Sequence, residues 1–393
     1  MENLVGKSLD YLASTPEGFI RPFTQTIDWS ARLIGVKGAR GVGKSTLIRQ
    51  HLKQSTHVKN AIYVSLDDPY FTDNDFEHVL DQLRARGYTH FYLDEVHRLK
   101  GWAPVVKSFY DRFPTLHFVF SGSSLLDMQD IGADLSRRAI MYEMPGLSFR
   151  EYLIVKKIAL SSSVTLDQIF KEHQHISREI AVDFIPLTSF HEYLRGGYYP
   201  YFTEGPHVYH IRLSQSIRTV LESDMSSIEG YDGSKANVLL KLLYILAGSV
   251  PYKPNISLLA KRTGLHANTV VKYLHYLERA RILSFLWAPN KGMSLLQKPD
   301  KVYLDNSNLA YAIRGPEVNI GSIRELFFHN QVKQVATLIY TPTADFLVDE
   351  KYLVEIGGPG KSVSKDKDMY VVRDGIDHGA EKVIPLWLFG FLY

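Results

Sequence analysis

The stretch Gly38-Ala-Arg-Gly-Val-Gly-Lys44-Ser45 constrains this chain more than any other feature. It lies between an apolar run, Leu33-Ile34-Gly35-Val36, and the helix-forming Thr46-Leu-Ile-Arg-Gln. Gly, four residues, then Gly-Lys-Ser between a strand and a helix is the phosphate-binding loop pattern. Glycines let a loop wrap closely around phosphates and aim backbone N–H groups at the oxygens, and the following helix adds the positive end of its dipole. Gly38, Ala39, Arg40, Gly41, Val42, Gly43, Lys44, Ser45 and Thr46 are therefore the expected nucleotide contacts. Lys44 is expected to neutralise the β- and γ-phosphates, and the Ser45 hydroxyl to ligate Mg²⁺.

A second segment completes the pattern about fifty residues later, a spacing that leaves room for one intervening strand and helix. His90-Phe-Tyr-Leu-Asp94-Glu95 is an apolar strand that ends in two carboxylates. In that position Asp94 is the expected Mg²⁺ holder, and Glu95 the residue that polarises the attacking water. Between the two segments, Ala61 to Leu66 reads as a strand and Asp75 to Arg86 as a helix. A further buried-type strand, Thr115 to Phe120, runs into Ser121-Gly-Ser-Ser124, where Ser121 is either a polar sensor of the γ-phosphate or part of a helix start. Arg137 and Arg138 precede the expected fifth strand, Ile140 to Met144. They are either a solvated pair or the source of the arginine that phosphoryl transfer needs, often supplied by a neighbouring subunit.

Composition narrows the remainder. The chain has 393 residues, 45% of them hydrophobic, enough for two or three domains rather than one. Its 45 basic and 42 acidic residues leave a formal charge of +3, so any nucleic-acid partner must be sought in a local patch. With no cysteine, disulfides, thiolate metal sites and cysteine nucleophiles are excluded, and the fifteen histidines show no ligand spacing. The N-terminal residues lack a signal-peptide layout, and the apolar run Ile384 to Tyr393 is about half the length of a membrane-crossing helix. The expectation is a cytoplasmic protein without a membrane partner, its last ten residues a buried strand.

The C-terminal half is read from patterns. Residues 156 to 185 have weak periodicity and are expected to be connective. Ser257 to Leu283 reads as a helix, a turn at Gly264 and a second helix. From Lys253 to Arg281 there are six Lys or Arg residues against Glu278 alone, a patch that either contacts duplex DNA or packs on protein. Beyond Tyr303, Glu325, Asp345 and Glu355 are carboxylates at the start or end of expected elements.

The segments Gly38 to Ser45, Leu93-Asp94-Glu95, Phe120 to Ser124, Leu135 to Arg138, Pro145-Gly-Leu-Ser-Phe-Arg-Glu-Tyr152 and His191 to Pro200 are together similar to one family. It is the bacterial and archaeal AAA+ superfamily ATPases with a C-terminal winged helix and a degenerate PD-(D/E)XK nuclease-like domain of unknown role. The resemblance implies an α/β P-loop NTPase sheet, parallel and with helices on both faces, in which the strand ending at Ser121 separates the Asp94 strand from the phosphate-loop strand. It implies ATP and Mg²⁺ as ligands, ATP hydrolysis as activity, and a homo-oligomer at least transiently. The expected domains are 1–160 (ATPase), 161–235 (helical linker), 236–300 (winged helix) and 301–393 (nuclease-like). The family's Leu-x-Gly-Arg element has Arg137 at the glycine position here, which leaves Arg138 as the match. In the nuclease-like pattern Glu325, Asp345 and Glu355 hold metal, but Gly357 stands where the lysine belongs and Lys361 follows in the next loop. The expected function is a hydrolysis-driven switch. A nucleotide-gated DNA-binding regulator and an ATP-coupled DNA nuclease are the alternatives.

Overall fold

The computed structural model describes residues 1–123, 135, 137–158, 162–182, 184–228, 231–248, 251–289, 297–362 and 368–393. They form two compact units, Met1–Pro145 and Gly146–Tyr393. The boundary between the two units falls after Pro145. The Phe149–Val155 helix belongs to the second unit, where the Ser148 hydroxyl and Arg150 Nε donate to the Tyr393 carbonyl at 2.8 and 3.0 Å.

In the first unit five parallel strands, β1 (Leu33–Gly38), β2 (Ala61–Ser65), β3 (His90–Asp94), β4 (His117–Ser123) and β5 (Ile140–Glu143), lie in the order β2-β3-β4-β1-β5. This is the expected α/β P-loop sheet, with β4 between the Asp94 strand and the phosphate-loop strand. The runs of β1 to β4 read as strands because they are apolar almost without interruption, as a sheet covered on both faces requires. Crossover helices Lys44–Gln54, Phe76–Ala85 and Trp102–Arg112 flank the sheet; the second starts where the Asp75 carboxylate accepts the His78 N–H at 2.9 Å. Gly35 sits mid-sheet because a Cβ there would come within 2.6 Å of the Phe120 ring.

Histidines mark the opposite edge of this sheet from the phosphate loop. The rings of His57 and His90 stack at 4.2 Å, and those of His90 and His117, cross-strand partners on β3 and β4, at 4.5 Å. Nearby, His51 stacks on Trp29 at 3.5 Å and shares a 2.9 Å hydrogen bond with the Tyr92 hydroxyl. Burial holds His51 down to about 4, helped by His90, and holds His90 down to about 4, helped by His117 and His57. A histidine that titrates near 6.5 when unfolded and near 4 when folded gives stability that is complete above about pH 6.5 and is lost as pH falls toward 4. In the second unit, burial raises Glu278 and Glu325 to about 7, which acts with the opposite sign. We therefore expect His90→Phe, which keeps a stacking ring, to show a smaller drop in Tm from pH 7 to pH 5 than the parent; an unchanged drop would contradict this.

The second unit begins with helices. Leu166–Ile180 is a fifteen-residue helix, where the sequence reading expected connection. Thr165 and Gln168 form a capping box at its start, and Ile169, Phe170, His173, Ile176 and Ser177 make one buried face. Next come helices Pro186–Gly196, Pro206–Glu222, Ala236–Ala247, Ile256–Thr263 and Ala267–Arg279. Gly264 joins the last two at φ 75°, a left-handed turn that favours glycine. Strands β6 (Leu283–Leu286) and β7 (Lys301–Leu304) then pair antiparallel, and Tyr252 bridges to Val302 beside them.

A separate small sheet has the order β12-β11-β10-β9-β8, from β8 (Leu338–Ile339), β9 (Phe346–Val348), β10 (Tyr352–Gly357), β11 (Tyr370–Arg373) and β12 (Val383–Pro385). The expected terminal strand is only partly a strand. After Pro385 the chain coils into a 3₁₀ turn, Leu386–Phe391, whose side chains are all buried, including Trp387 at 1% exposure. A strand buries alternate residues on one face, whereas a coil can surround this continuous run. Among the described residues no helix is long and apolar enough to cross a membrane.

Candidate nucleotide site

The phosphate loop bends through two glycines in the left-handed region, Gly41 at φ 86° and Gly43 at φ 101°. Gly43 caps the Lys44–Gln54 helix, whose first i−4 bond runs from the Leu47 N–H to the Gly43 carbonyl at 2.9 Å. The first-turn N–H groups precede any helical acceptor, as at every helix start. At Gly38 a Cβ would lie 2.5 Å from the Met144 carbonyl oxygen, so the strand end tolerates only glycine. Ala39 and Val42 are buried, Arg40 and Gly41 are exposed, and Ser45 and Thr46 are half-buried. Lys44 is 5% exposed and its ammonium donates to the Gly38 and Ala39 carbonyls at 3.0 and 3.1 Å. That arrangement stores a cation inside the loop.

Asp94, 2% exposed, lies at the same end of the sheet. The register Leu93↔Phe120 and Val36↔Ser121 sets Ser121 between the Asp94 strand and β1. The Ser121 hydroxyl donates to Asp94 Oδ1, the Tyr63 hydroxyl donates to Oδ2 at 2.5 Å, and the Glu95 N–H donates to Oδ1 at 3.1 Å. Burial and then the Asp94 carboxylate push the Tyr63 phenol far up, so it stays a donor. Ser121 is in β4, which runs on to Ser123; this excludes the helix-start reading at Ser121, and Ser124 lies outside the described residues.

Glu95 has φ 52°, the left-handed region that a non-glycine residue enters at a cost of roughly 1 kcal/mol or more. The turn separates its side chain from that of Asp94 and brings Glu95 Oε2 to 3.4 Å from His97 Nε2. The Ser123 N–H donates to His97 Nδ1 at 3.3 Å, which assigns the ring proton of the neutral imidazole to Nε2, facing Glu95. His97 and Tyr63 were missed by sequence reasoning. Each is defined by a neighbouring strand, and only the Glu-x-His spacing hints at the first.

Arg138 is not brought to this cluster. Its guanidinium pairs with Asp111 at 2.8 and 3.0 Å, at the end of the Trp102–Arg112 helix. Two residues later β5 begins, with Ile140 opposite Ile34. Gly38 is four residues further along β1, about 13 Å at the rise of a strand. Arg138 therefore lies at the opposite edge of the sheet from its own chain's phosphate loop. Arg137 is exposed.

The carboxylates of the second unit gather around lysines. Lys301 Nζ lies 3.6 Å from Glu325 Oε2 and 3.8 Å from Asp345 Oδ1, and Lys361 Nζ donates to Glu355 Oε1 at 2.6 Å. The Lys361 stem covers Gly357, where a Cβ would collide with it. Glu325, Asp345 and Glu355 lie near enough to act on one another and on Lys361, and among the described residues no group of three or more His, Asp or Glu is placed to hold a metal ion. Two ammonium groups sit against these carboxylates instead. Burial, reinforced by Asp345, raises Glu325 to about 7.

In the 253–281 patch, Lys253, Lys261, Arg262 and Lys272 are exposed. The Ala267–Arg279 helix exposes its first turn at Ala267 and Asn268, but Tyr273 to Leu277 are all buried. The exposed positions of that helix are Ala267, Asn268 and Lys272.

Residues 30–153 match the family model of an AAA domain, and residues 187–318 that of a domain of unknown function. The first region thus resembles an AAA domain in sequence as well as in the order of its strands. An uncharacterised protein of Methanocaldococcus jannaschii is 25% identical over 297 residues, 69% of this chain and 60% of that protein. An uncharacterised protein of Haemophilus influenzae is 22% identical over 260 residues, 62% of this chain. The match to this chain spans 60% of the length of each of these curated relatives. Among solved structures, AMPPCP-bound DnaA from Aquifex aeolicus has 16% identity, a TM-score of 0.26, and coverage of 70% of this chain and 86% of that one. A katanin self-assembly structure has 18% identity, a TM-score of 0.26, and coverage of 42% and 60%. The family match and the site geometry, rather than these distant likenesses, carry the assignment.

Proposed function

We propose that this chain, whose residues 30–153 match the family model of an AAA domain, binds ATP with Mg²⁺ at the Gly38–Thr46 loop and hydrolyses it as a switch acting on the Gly146–Tyr393 unit. One observation supports this best: the glycine-bent loop with its stored Lys44 cation and the Asp94–Ser121–Glu95 cluster share one end of one sheet. The donor set fits the ligand, since a cradle of backbone N–H groups, a buried ammonium, a hydroxyl and a buried carboxylate are what a triphosphate and a hard cation require. Ser45 and Asp94 would hold Mg²⁺, which when bound supplies charge to neutralise the phosphate oxygens.

The chain's own residues do the rest. Lys44 moves from the Gly38 and Ala39 carbonyls to the β- and γ-phosphates, where its charge offsets what develops in the transition state. Glu95, aimed by its left-handed turn and by His97, accepts a proton from the water whose oxygen bonds to the γ-phosphorus. The bond from that phosphorus to the bridging oxygen breaks, leaving ADP and phosphate. In this reading Ser121, hydrogen-bonded to Asp94, senses the γ-phosphate, and Arg138 serves a neighbouring copy in a transient homo-oligomer.

Within the second unit we read 161–235 as a helical linker, 236–300 as a winged helix and 301–393 as a nuclease-like domain. The order helix, extended segment, helix, helix and strand pair supports the winged helix. Four exposed cations there favour a second reading, a nucleotide-gated DNA-binding regulator. Steady-state ATP hydrolysis with and without duplex DNA tests both. ATP turnover indifferent to DNA supports the first reading and directs attention to a protein partner. Stimulation that falls with salt and with Lys261→Ala, Arg262→Ala and Lys272→Ala supports the second, and no turnover under either condition overturns the ATPase reading.

A further inference from the structure

We propose that a cavity in the Gly146–Tyr393 unit, lined by Arg195, His191, Arg324 and Asp374, binds a phosphate group, either as free phosphate or as the terminal phosphate ester of a nucleic acid strand. The cavity has a volume of about 260 Å³, room for an oxyanion and a small appended group but below the range of drug-sized pockets. It is separate from the phosphate loop and does not rest on the ATPase reading.

Charge defines what it accepts. Arg195 and His191 stand one turn apart on the Pro186–Gly196 helix, and Arg324 comes from the Ile320–Val332 helix. The one carboxylate in the lining, Asp374, is only 4% exposed and is already engaged. It accepts from Arg324 Nε at 2.8 Å and the Gly375 N–H at 2.8 Å, and lies 3.4 Å from His191 Nε2. Those donors, led by His191 and Arg324, hold its carboxyl below the usual range against the effect of burial. Arg324 uses only Nε in this contact, and among the described residues no hydrogen bond occupies its Nη atoms. Arg195 is exposed, with no ion pair or hydrogen bond among the described residues. Two guanidinium groups against one spent carboxylate leave a net positive cavity.

Glycines shape the cavity wall. A Cβ at Gly358 would come within 2.8 Å of Arg324 Nη1, so the loop leaves the guanidinium space to lie flat against it. Gly375, at φ 77°, has no room for a Cβ against Pro359, which would be 2.7 Å away. The result is a set of donors that converge from separate helices. A planar carboxylate is satisfied by a single guanidinium fork, whereas a tetrahedral phosphate has oxygens for several donors at once.

The test is equilibrium dialysis of labelled orthophosphate against the full chain carrying Lys44→Ala, which weakens binding at the phosphate loop. Expected is one phosphate per chain, with affinity about tenfold lower when Arg195→Glu is added, the size of one lost charge-assisted contact. Arg195 is exposed, so this second change leaves the fold intact; Arg324→Lys, which keeps a cation beside Asp374, is expected to weaken binding as well. No binding, or equal binding in Arg195→Glu, overturns the proposal, and so does acetate competing as well as phosphate. An oligonucleotide bearing a 5′-phosphate identifies a strand end as the source if it competes better than orthophosphate and its 5′-hydroxyl counterpart does not. Equal competition by the phosphorylated oligonucleotide and orthophosphate identifies free phosphate.

Discussion

Glu95→Gln is expected to bind ATP as tightly as the parent chain while hydrolysing it about 10²- to 10⁴-fold more slowly, the range for loss of a positioned general base. The substitution keeps the size and shape of the side chain, so the left-handed turn at φ 52° and the contact with His97 remain possible. What disappears is the proton acceptor. Asp94 keeps its hydrogen bonds to Tyr63 and Ser121, and Lys44 keeps its place in the loop, so the binding half of the site is untouched. Calorimetric titration with ATP checks the affinity, and phosphate release checks the rate. Unchanged release would remove Glu95 from the chemistry.

Arg138→Ala is expected to reduce turnover about 10³- to 10⁵-fold, the contribution of an arginine delivered to phosphoryl transfer, with ATP affinity unchanged. The register of β1 and β5 keeps Arg138 away from its own chain's loop, so the effect must be exerted on a neighbouring copy. Its partially exposed pair with Asp111 is worth at most about 1 kcal/mol, so the variant folds. Mixing Arg138→Ala with Glu95→Gln tests the geometry. Sites that combine Glu95 of the first variant with Arg138 of the second are complete, so part of the activity should return. A mixture as inactive as its components, or a parent rate in Arg138→Ala alone, would remove Arg138 from the chemistry.

The parts of the site that were legible in the sequence are those written in one segment. Gly41 and Gly43 announce a backbone that needs positive φ, and a buried run ending in Asp94-Glu95 announces a strand delivering carboxylates to a sheet edge. The place of β4 between β3 and β1 followed from the family resemblance, not from local pattern. His97 and Tyr63 were invisible because strand register, which no short segment specifies, brings them to Glu95 and Asp94. The Leu166–Ile180 helix was overlooked although Thr165-x-x-Gln168 signals its start; the scattered charges hid a buried face that is regular once placed on a helix. Gly357 stands where the lysine belongs, and Lys361, already visible in the sequence four residues later, lies over it with its ammonium on Glu355, a contact that only the fold of the loop supplies.

The most direct measurement is the initial rate of phosphate release from ATP and Mg²⁺ by the parent chain, with Lys44→Ala prepared identically as its control. The loop geometry predicts steady turnover by the parent and none above background in the variant, because the cation stored at the Gly38 and Ala39 carbonyls is gone. Equal rates in the two proteins would place the activity outside this loop and contradict the account.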